Sequence, residues 1–247
     1  MKQTVLLLSL IVILTACDFE NRQVVNSREG KSEQTTTKTK KKEVEEIMSF
    51  EMGSLLQAVE EGKEKEVKEI LKDKEYDLNE VNEKKESSLL IATHNNQVEI
   101  AKVLIDHGAD INLQDEIQDS PYLYAGAQGK TEILAYMLKH ATPNQTSVNR
   151  FGGNALIPAA EKGHLANVKL LLEDGRVDID HQNNYGYTAL IEAVALRDGS
   201  KVYQDIVAEL LNYNADVTLK DNNGKTATDY ARALGYNNML NQLENKK

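Results

Sequence analysis

The sequence has no tryptophan, three prolines and a single cysteine in 247 residues. One thiol closes no intramolecular disulfide, so a small cysteine-stapled fold is excluded and cysteine usage does not report the redox compartment. So few prolines exclude a collagenous or proline-rich extended chain. Long apolar runs are also missing. The longest, Val5 to Leu14, is interrupted only by Ser9, and ten residues are about half of what a helix needs to cross the hydrocarbon core. Net positive charge is lacking too, since the chain carries a formal −10 at neutral pH. That balance repels phosphate backbones and argues against nucleic acid as a partner.

The charge is unevenly placed. Residues 18–42 hold seven Lys/Arg and four Asp/Glu, a net of +3, whereas residues 43–247 hold 21 and 35, a net of −14. An acidic body of this kind speeds encounter with a basic partner.

At the start, Met1-Lys2 precedes the apolar run, and Leu14-Thr15-Ala16-Cys17 closes it. A charged beginning, a short apolar core and small residues at its end describe a secretory signal. The tetrapeptide resembles the bacterial lipobox. That resemblance implies a signal peptide over 1–16, diacylglycerol on Cys17, and a lipid-anchored protein on the extracytoplasmic face of the cell membrane, periplasmic or extracellular. Two acyl chains hold far better than one, which anchors only marginally. An ordinary secretory peptide with a cysteine beside it is the competing reading. From Cys17 to Met48, polar residues dominate with no helical or strand period, as in Thr35-Thr36-Thr37-Lys38-Thr39. Such a stretch buries too little to offset ordering entropy, so a disordered tether is expected. Twenty-five flexible residues reach about 25–30 Å.

Residues 49–247 are internally periodic. Gly53, Ser87, Ser120, Asn154, Thr188 and Thr226 hold equivalent positions at spacings of 34, 33, 34, 34 and 38 residues. Two residues after each of the first five comes Leu or Tyr, and three further on Ala: Leu55/Ala58, Leu89/Ala92, Tyr122/Ala125, Leu156/Ala159, Leu190/Ala193. Gly62, Asn96, Gly129, Gly163 and Gly235 mark a turn, and an apolar stripe such as Ile100-Val103-Leu104 or Val168-Leu170-Leu171-Leu172 follows. Each unit therefore reads as two short helices, marginal alone in water. A stack of such units buries one continuous core where a single unit has none. The spacing of 38 predicts about five extra residues in the turn between the two helices of the fifth unit, around Leu196 to Lys201.

The stretch Asn149 to His164 followed by Val168-Lys169-Leu170-Leu171-Leu172 resembles the ankyrin pattern D-x-x-G-x-T-P-L-H-x-A-A-x-x-G-H with V-x-x-L-L. Glu99 to Asn112 and Asn223 to Ala231 match the same pattern in register. The resemblance implies an all-α ankyrin-repeat solenoid of six units, the first and last acting as caps. It departs from the pattern where the T-P-L-H box reads Ser87-Ser88-Leu89-Leu90, Ser120-Pro121-Tyr122-Leu123 and Thr188-Ala189-Leu190-Ile191, and loss of the box threonine, which braces the turn, predicts weakened units. The family resemblance also implies a monomeric, non-catalytic, protein-binding scaffold. An inhibitor or immunity protein neutralising a secreted toxin or hydrolase is the alternative.

No cofactor or metal is expected. The histidines His94, His107, His140, His164 and His181 show no zinc spacing. Gly152-Gly153 lacks the Lys-Ser/Thr of a phosphate loop, and Asp221-Asn222-Asn223-Gly224 lacks the bidentate Glu of a calcium loop. Carried over by position, the ankyrin binding surface places Glu116, Ile117, Asp119, Arg150, Phe151, Tyr185 and Tyr187 on hairpin tips and Glu161 on the face of a first helix. Three aromatics beside an arginine suggest an interface hot spot. Packing of the same rings across neighbouring hairpins is the other reading.

Overall fold

The computed structural model describes residues 49–246. The expected signal peptide at 1–16, Cys17 and the tether to residue 48 lie outside the described residues.

Twelve helices are present among the described residues, and they run in pairs. The pairs are α1 (Ser54–Glu60) with α2 (Glu64–Ile70), α3 (Ser88–His94) with α4 (Val98–Asp106), and α5 (Pro121–Ala127) with α6 (Thr131–His140). Then follow α7 (Leu156–Glu161) with α8 (Leu165–Asp174), α9 (Ala189–Ala195) with α10 (Lys201–Asn212), and α11 (Ala227–Leu234) with α12 (Asn237–Glu244). The described residues contain no strand, only an isolated bridge between Val81 and Ser87. Odd-numbered helices pack on one another as an inner layer and even-numbered helices as an outer layer.

The repeat pattern explains the core. Leu55, Leu89, Tyr122, Leu156 and Leu190 are buried, and so is the alanine three residues after each. Alanine at that point lets neighbouring inner helices approach. On the outer layer Ile100/Leu104, Ile133/Met137, Ile206/Leu210 and Met239/Leu243 close the same seam. Burying each such side chain contributes about 1.5–3 kcal/mol. Asn167 holds the equivalent position in the fourth unit and is fully buried. It is tolerated because its Nδ2 donates to the carbonyls of Ala125 (2.8 Å) and Gly126 (3.1 Å) at the end of α5. Gly126 is needed there, since a Cβ would lie 2.9 Å from the Cβ of Ala155.

At the departures from the ankyrin box the hydrogen bonds that start the inner helices are still made. Ser87 and Ser120 accept the N–H of Leu90 and Leu123 at 3.2 Å, the same bond Thr188 makes to Ile191. A serine hydroxyl is as good an N-cap as a threonine. Asn154 uses Oδ1 for the N–H groups of Leu156 and Ile157 and donates to the carbonyl of Asp178. Gly53 has no side chain to offer, and the buried carboxylate of Glu80 instead accepts the N–H of Leu56 at 3.4 Å, together with that of Gly53 at 2.6 Å. In the first outer helix, exposed pairs such as Lys68–Glu64 and Lys72–Glu69 face water, as a cap should.

The extra residues of the fifth unit are not all in its turn. Five residues separate α9 from α10, where three separate α3 from α4. The other three lengthen α10, which starts five residues before the buried Ile206, whereas α4 starts two before Ile100. Nothing in Lys201-Val202-Tyr203 breaks a helix, and Lys201 pairs with Asp205 one turn further on across the added length.

Candidate functional site

Five hairpin loops join the units, and each is built alike. A residue with a short side-chain carbonyl opens the loop: Asn82, Asp115, Asn149, Asn183 or Asp221. Its Oδ1 accepts the backbone N–H groups two and four residues on. This arrangement replaces a strand ladder with a side-chain bracket. In the fourth unit it fixes the backbone of Phe151, and in the fifth that of Tyr185 and Tyr187.

Neighbouring loops are then stitched together. The N–H of Glu116 donates to the Lys84 carbonyl (3.1 Å), that of Asn184 to Phe151 (3.0 Å) and that of Asn222 to Tyr185 (3.1 Å). Between the loops at 115–119 and 149–153 no such backbone bond exists among the described residues. The Arg150 guanidinium bridges that junction, 3.5 Å from Asp119 and 4.9 Å above the ring of Phe151.

Below these loops the inner helices line a cleft of about 450 Å³. It gathers six of the eight residues expected at the binding surface: Asp119, Arg150, Phe151, Glu161, Tyr185 and Tyr187. Glu116 and Ile117 do not line it. Both are exposed on the neighbouring loop, Ile117 as a lone apolar side chain. Phe151 and Tyr185 keep about half their surface in solvent, at 49% and 56%. Tyr187 is different. It is partly buried, edge-on to Tyr230 at 6.3 Å, with the two hydroxyls 3.4 Å apart. Its ring therefore stiffens the stack as well as lining the cleft.

The floor carries a residue that the sequence reading did not single out. Glu192 lies on α9, 5% exposed. Its Oε1 accepts the Nδ2 of Asn183 at 2.9 Å, and its Oε2 has no hydrogen-bond partner among the described residues. Burial raises its pKa from the usual carboxylate range to about 7, and nearby Glu161 pushes the same way. The Asn183 bond and the Arg197 guanidinium oppose that shift without cancelling it. Arg197 itself is paired with Glu161. Asp119 at the rim is also raised, by burial, against the pull of Arg150. The signal in the sequence was a lone charge inside the apolar run Ala189-Leu-Ile-Glu-Ala-Val-Ala195.

No group of three or more His, Cys, Asp or Glu side chains suited to a metal ion occurs among the described residues. The histidines have structural contacts instead. His94 tilts against Tyr124 at 4.1 Å, His140 stacks on Tyr136 at 4.0 Å, and His181 Nε2 meets the Gly152 carbonyl at 2.7 Å. His164 covers Gly129, where a Cβ would come within 2.7 Å of its ring. No described helix is long and apolar enough to cross a membrane.

A family model for ankyrin repeats in three copies matches residues 55–147 and 123–221. The chain belongs to the ankyrin repeat family. The crystal structure of EF0377, an ankyrin repeat protein, superposes with a TM-score of 0.78 at 62% identity, covering 79% of this chain and 98% of that one. An ankyrin repeat domain from Acinetobacter baumannii AYE superposes with a TM-score of 0.76 at 41% identity, over the same shares of the two chains. The ankyrin repeat protein YahD of Escherichia coli K12 is 42% identical over 103 residues, 42% of this chain and 51% of YahD. The chain thus spans about half the length of that curated relative. Ankyrin stacks present an extended concave surface for protein–protein recognition, and the cleft lies on that surface.

Proposed function

We propose that the protein is a lipid-anchored scaffold on the extracytoplasmic face of the cell membrane, which binds another protein through the concave face of its ankyrin stack. The observation that carries the binding reading is the cleft itself, where Arg150, Phe151 and Tyr185 converge on a rigid, hydrogen-bonded frame. Exposed aromatics beside an arginine are the residues that dominate interface energetics. A solvated loop tip would be filled by polar residues. The anchoring half of the reading rests on Leu14-Thr15-Ala16-Cys17 and the apolar run before it. Metabolic labelling with palmitate tests that half: label is expected on the native chain and lost in Cys17→Ser. Label retained in that variant removes the anchor at Cys17.

Partner binding is tested by capture from envelope extract, comparing the native chain with the double variant Phe151→Ala/Tyr185→Ala. At least a tenfold loss of captured partner is expected, with helicity unchanged by circular dichroism. Equal capture by a folded double variant removes the loops from the interface. A second reading, an inhibitor of a basic secreted toxin or hydrolase, is favoured by the net −14 of residues 43–247. Protection of a sensitive cell by the chain, lost in the same double variant, distinguishes it from a passive scaffold.

A further inference from the structure

Two buried polar atoms in the wall of the cleft are left over, one an acceptor and one a donor. Glu192 is more than nine-tenths buried, and its Oε2 has no hydrogen-bond partner among the described residues. The Nε–H of Arg197 is buried and unpartnered in the same way. Both surround a single ion pair. Arg197 donates a terminal N–H to Oε1 of Glu161, and the charges of Glu161 and Arg197 both act on Glu192. An unmet buried donor and an unmet buried acceptor each destabilise, and native structures hold few of either. One bond between the two would satisfy both.

We propose that Arg197 is a clasp on two carboxylates: once Glu192 has released its proton to solvent, the Nε–H of Arg197 donates to its Oε2 while the terminal N–H stays on Glu161. A guanidinium suits this role, because it carries five N–H donors in a rigid fork and stays charged. The clasp needs Glu192 ionised. A protonated carboxyl is neutral and a poor acceptor, whereas an ionised one beside Glu161 places two like charges together, and a shared cation favours both. The Asn183 bond to Oε1 is undisturbed by a donor on Oε2. Tyr236 holds the Arg197 backbone, its hydroxyl donating to the Arg197 carbonyl, so the side chain is the part that moves. Leu196, the residue before, ends α9 and lines the cleft with its half-exposed side chain. The closed clasp therefore ties that edge of the cleft to α7 and α9 at once. As control of the cleft, it rests on the protein-binding reading.

Glu192 titrates at about 7, raised by burial first and by Glu161 second, so the clasp closes as pH rises through that value. The new bond offsets part of the cost of an ionised carboxylate at this depth. The elements packed against α9 bring other charged groups: Lys162 after α7, Lys201, Asp205 and Glu209 on α10, and Asp229 and Arg232 on α11. Lys201 pairs with Asp205 and Arg232 with Asp229, and none of these residues is among the groups that shift Glu192. The hairpin before α9 adds the phenol of Tyr187, which meets that of Tyr230.

The test uses the isotopically labelled full chain without a partner. Nuclear magnetic resonance follows the Arg197 Nε–H and the Glu192 carboxyl carbon between about pH 5 and 9. Both are expected to move with one midpoint near 7, the Nε–H to lower field as it gains a carboxylate. Glu192→Gln keeps the shape of the side chain and should leave the Arg197 Nε–H flat across that range. Asp119→Asn removes the other raised acid at the cleft and should leave the Arg197 titration as it is. A Glu192 carboxyl that titrates while the Arg197 Nε–H stays flat overturns the clasp. It is equally overturned if the Arg197 titration survives in Glu192→Gln or vanishes in Asp119→Asn, or if Glu192 does not titrate in this range. These readings need no partner, so the clasp and the protein-binding reading fail separately. Capture of the partner should differ at least about threefold between pH 6 and 8 and lose that difference in Glu192→Gln. Capture that is flat with pH in a chain whose Arg197 titrates would overturn control of the cleft and leave the binding surface standing.

Discussion

The first two hairpin loops and the last three share one hydrogen-bond plan but solve its hardest position differently. Each loop has a residue with left-handed backbone two positions before Ser87, Ser120, Asn154, Thr188 or Thr226. In the loops at 149–153, 183–187 and 221–225 it is Gly152, Gly186 and Gly224, at φ 76°, 77° and 74°. In the loops at 82–86 and 115–119 it is Lys85 and Gln118, at φ 62° and 65°. A side chain in that region costs about 1–2 kcal/mol. The early loops therefore hold strain in the backbone, and of their residues only Asp119 reaches the cleft. The later loops have relaxed backbones and carry the aromatic rings, and the unfavourable group near them is a buried carboxylate. In the first region the unfavourable element is backbone conformation; in the second it is a buried carboxylate at the floor of the cleft.

The largest expected effect tests whether the later loops depend on glycine for conformation alone or also for space. A Cβ on Gly186 would lie 2.7 Å from the backbone nitrogen of Asn222 and 3.0 Å from the carbonyl carbon of Asp221. Gly224, the last in the stack, has nothing within 4 Å. Gly186→Ala is expected to lose about 3 kcal/mol, strain and collision together. Gly224→Ala should lose only about 1 kcal/mol, the strain. Urea unfolding of both variants checks this, and equal losses would mean that the loops do not press on one another.

An intermediate effect separates the two kinds of unfavourable group. Glu192 has its folded-state value raised from 4.5 to about 7. For such a group the stabilising contribution is full below about pH 4.5 and is lost as pH rises through about 7, because the folded state then holds a proton the unfolded chain has released. Glu192→Gln should therefore be about 1–2 kcal/mol more stable than the native chain at pH 8 and no different at pH 4. Thermal melts across that range read it directly. A variant that is less stable at pH 8 would mean that the carboxylate is held by partners it does not show.

The stack was legible in the sequence because its determinants repeat. Alanine three residues after Leu55, Leu89 and Leu156 recurs in register with a period of 33–34 residues, and it is that register that marks the inner helices. What did not repeat was harder to read. Asn167 stands where isoleucine stands in other units, and only the carbonyls of Ala125 and Gly126, some 40 residues earlier in sequence, explain it. Glu192 was passed over because a single charge on a helix is ordinarily solvated, and its one partner, Asn183, comes from the hairpin loop before the helix. The rim residues were placed by their position in the repeat, which is a local property. Tyr187 shows the limit of that approach, since its contact with Tyr230 lies 43 residues away. The split of the insertion between turn and α10 escaped for a related reason: spacing counts residues but does not say which of them wind into helix.

The smallest expected effect bears most directly on the two kinds of loop. Lys85→Gly and Gln118→Gly replace a left-handed side-chain-bearing residue with the one that adopts this backbone freely. Strain is relieved, but glycine also gives the unfolded chain more freedom, so the net gain should be about 0.5–1 kcal/mol each. The two sites lie on adjacent loops joined through Glu116 and Lys84, and that single backbone bond does not involve either side chain. Their effects should then add within a few tenths of a kcal/mol. Chemical denaturation of the singles and the double measures this. Gain at both sites would show that the early loops carry avoidable strain. Loss at Lys85 or Gln118 would mean that its side chain does something that the relaxed loops assign to other residues, and the early half of the stack would then join the later half as a candidate surface.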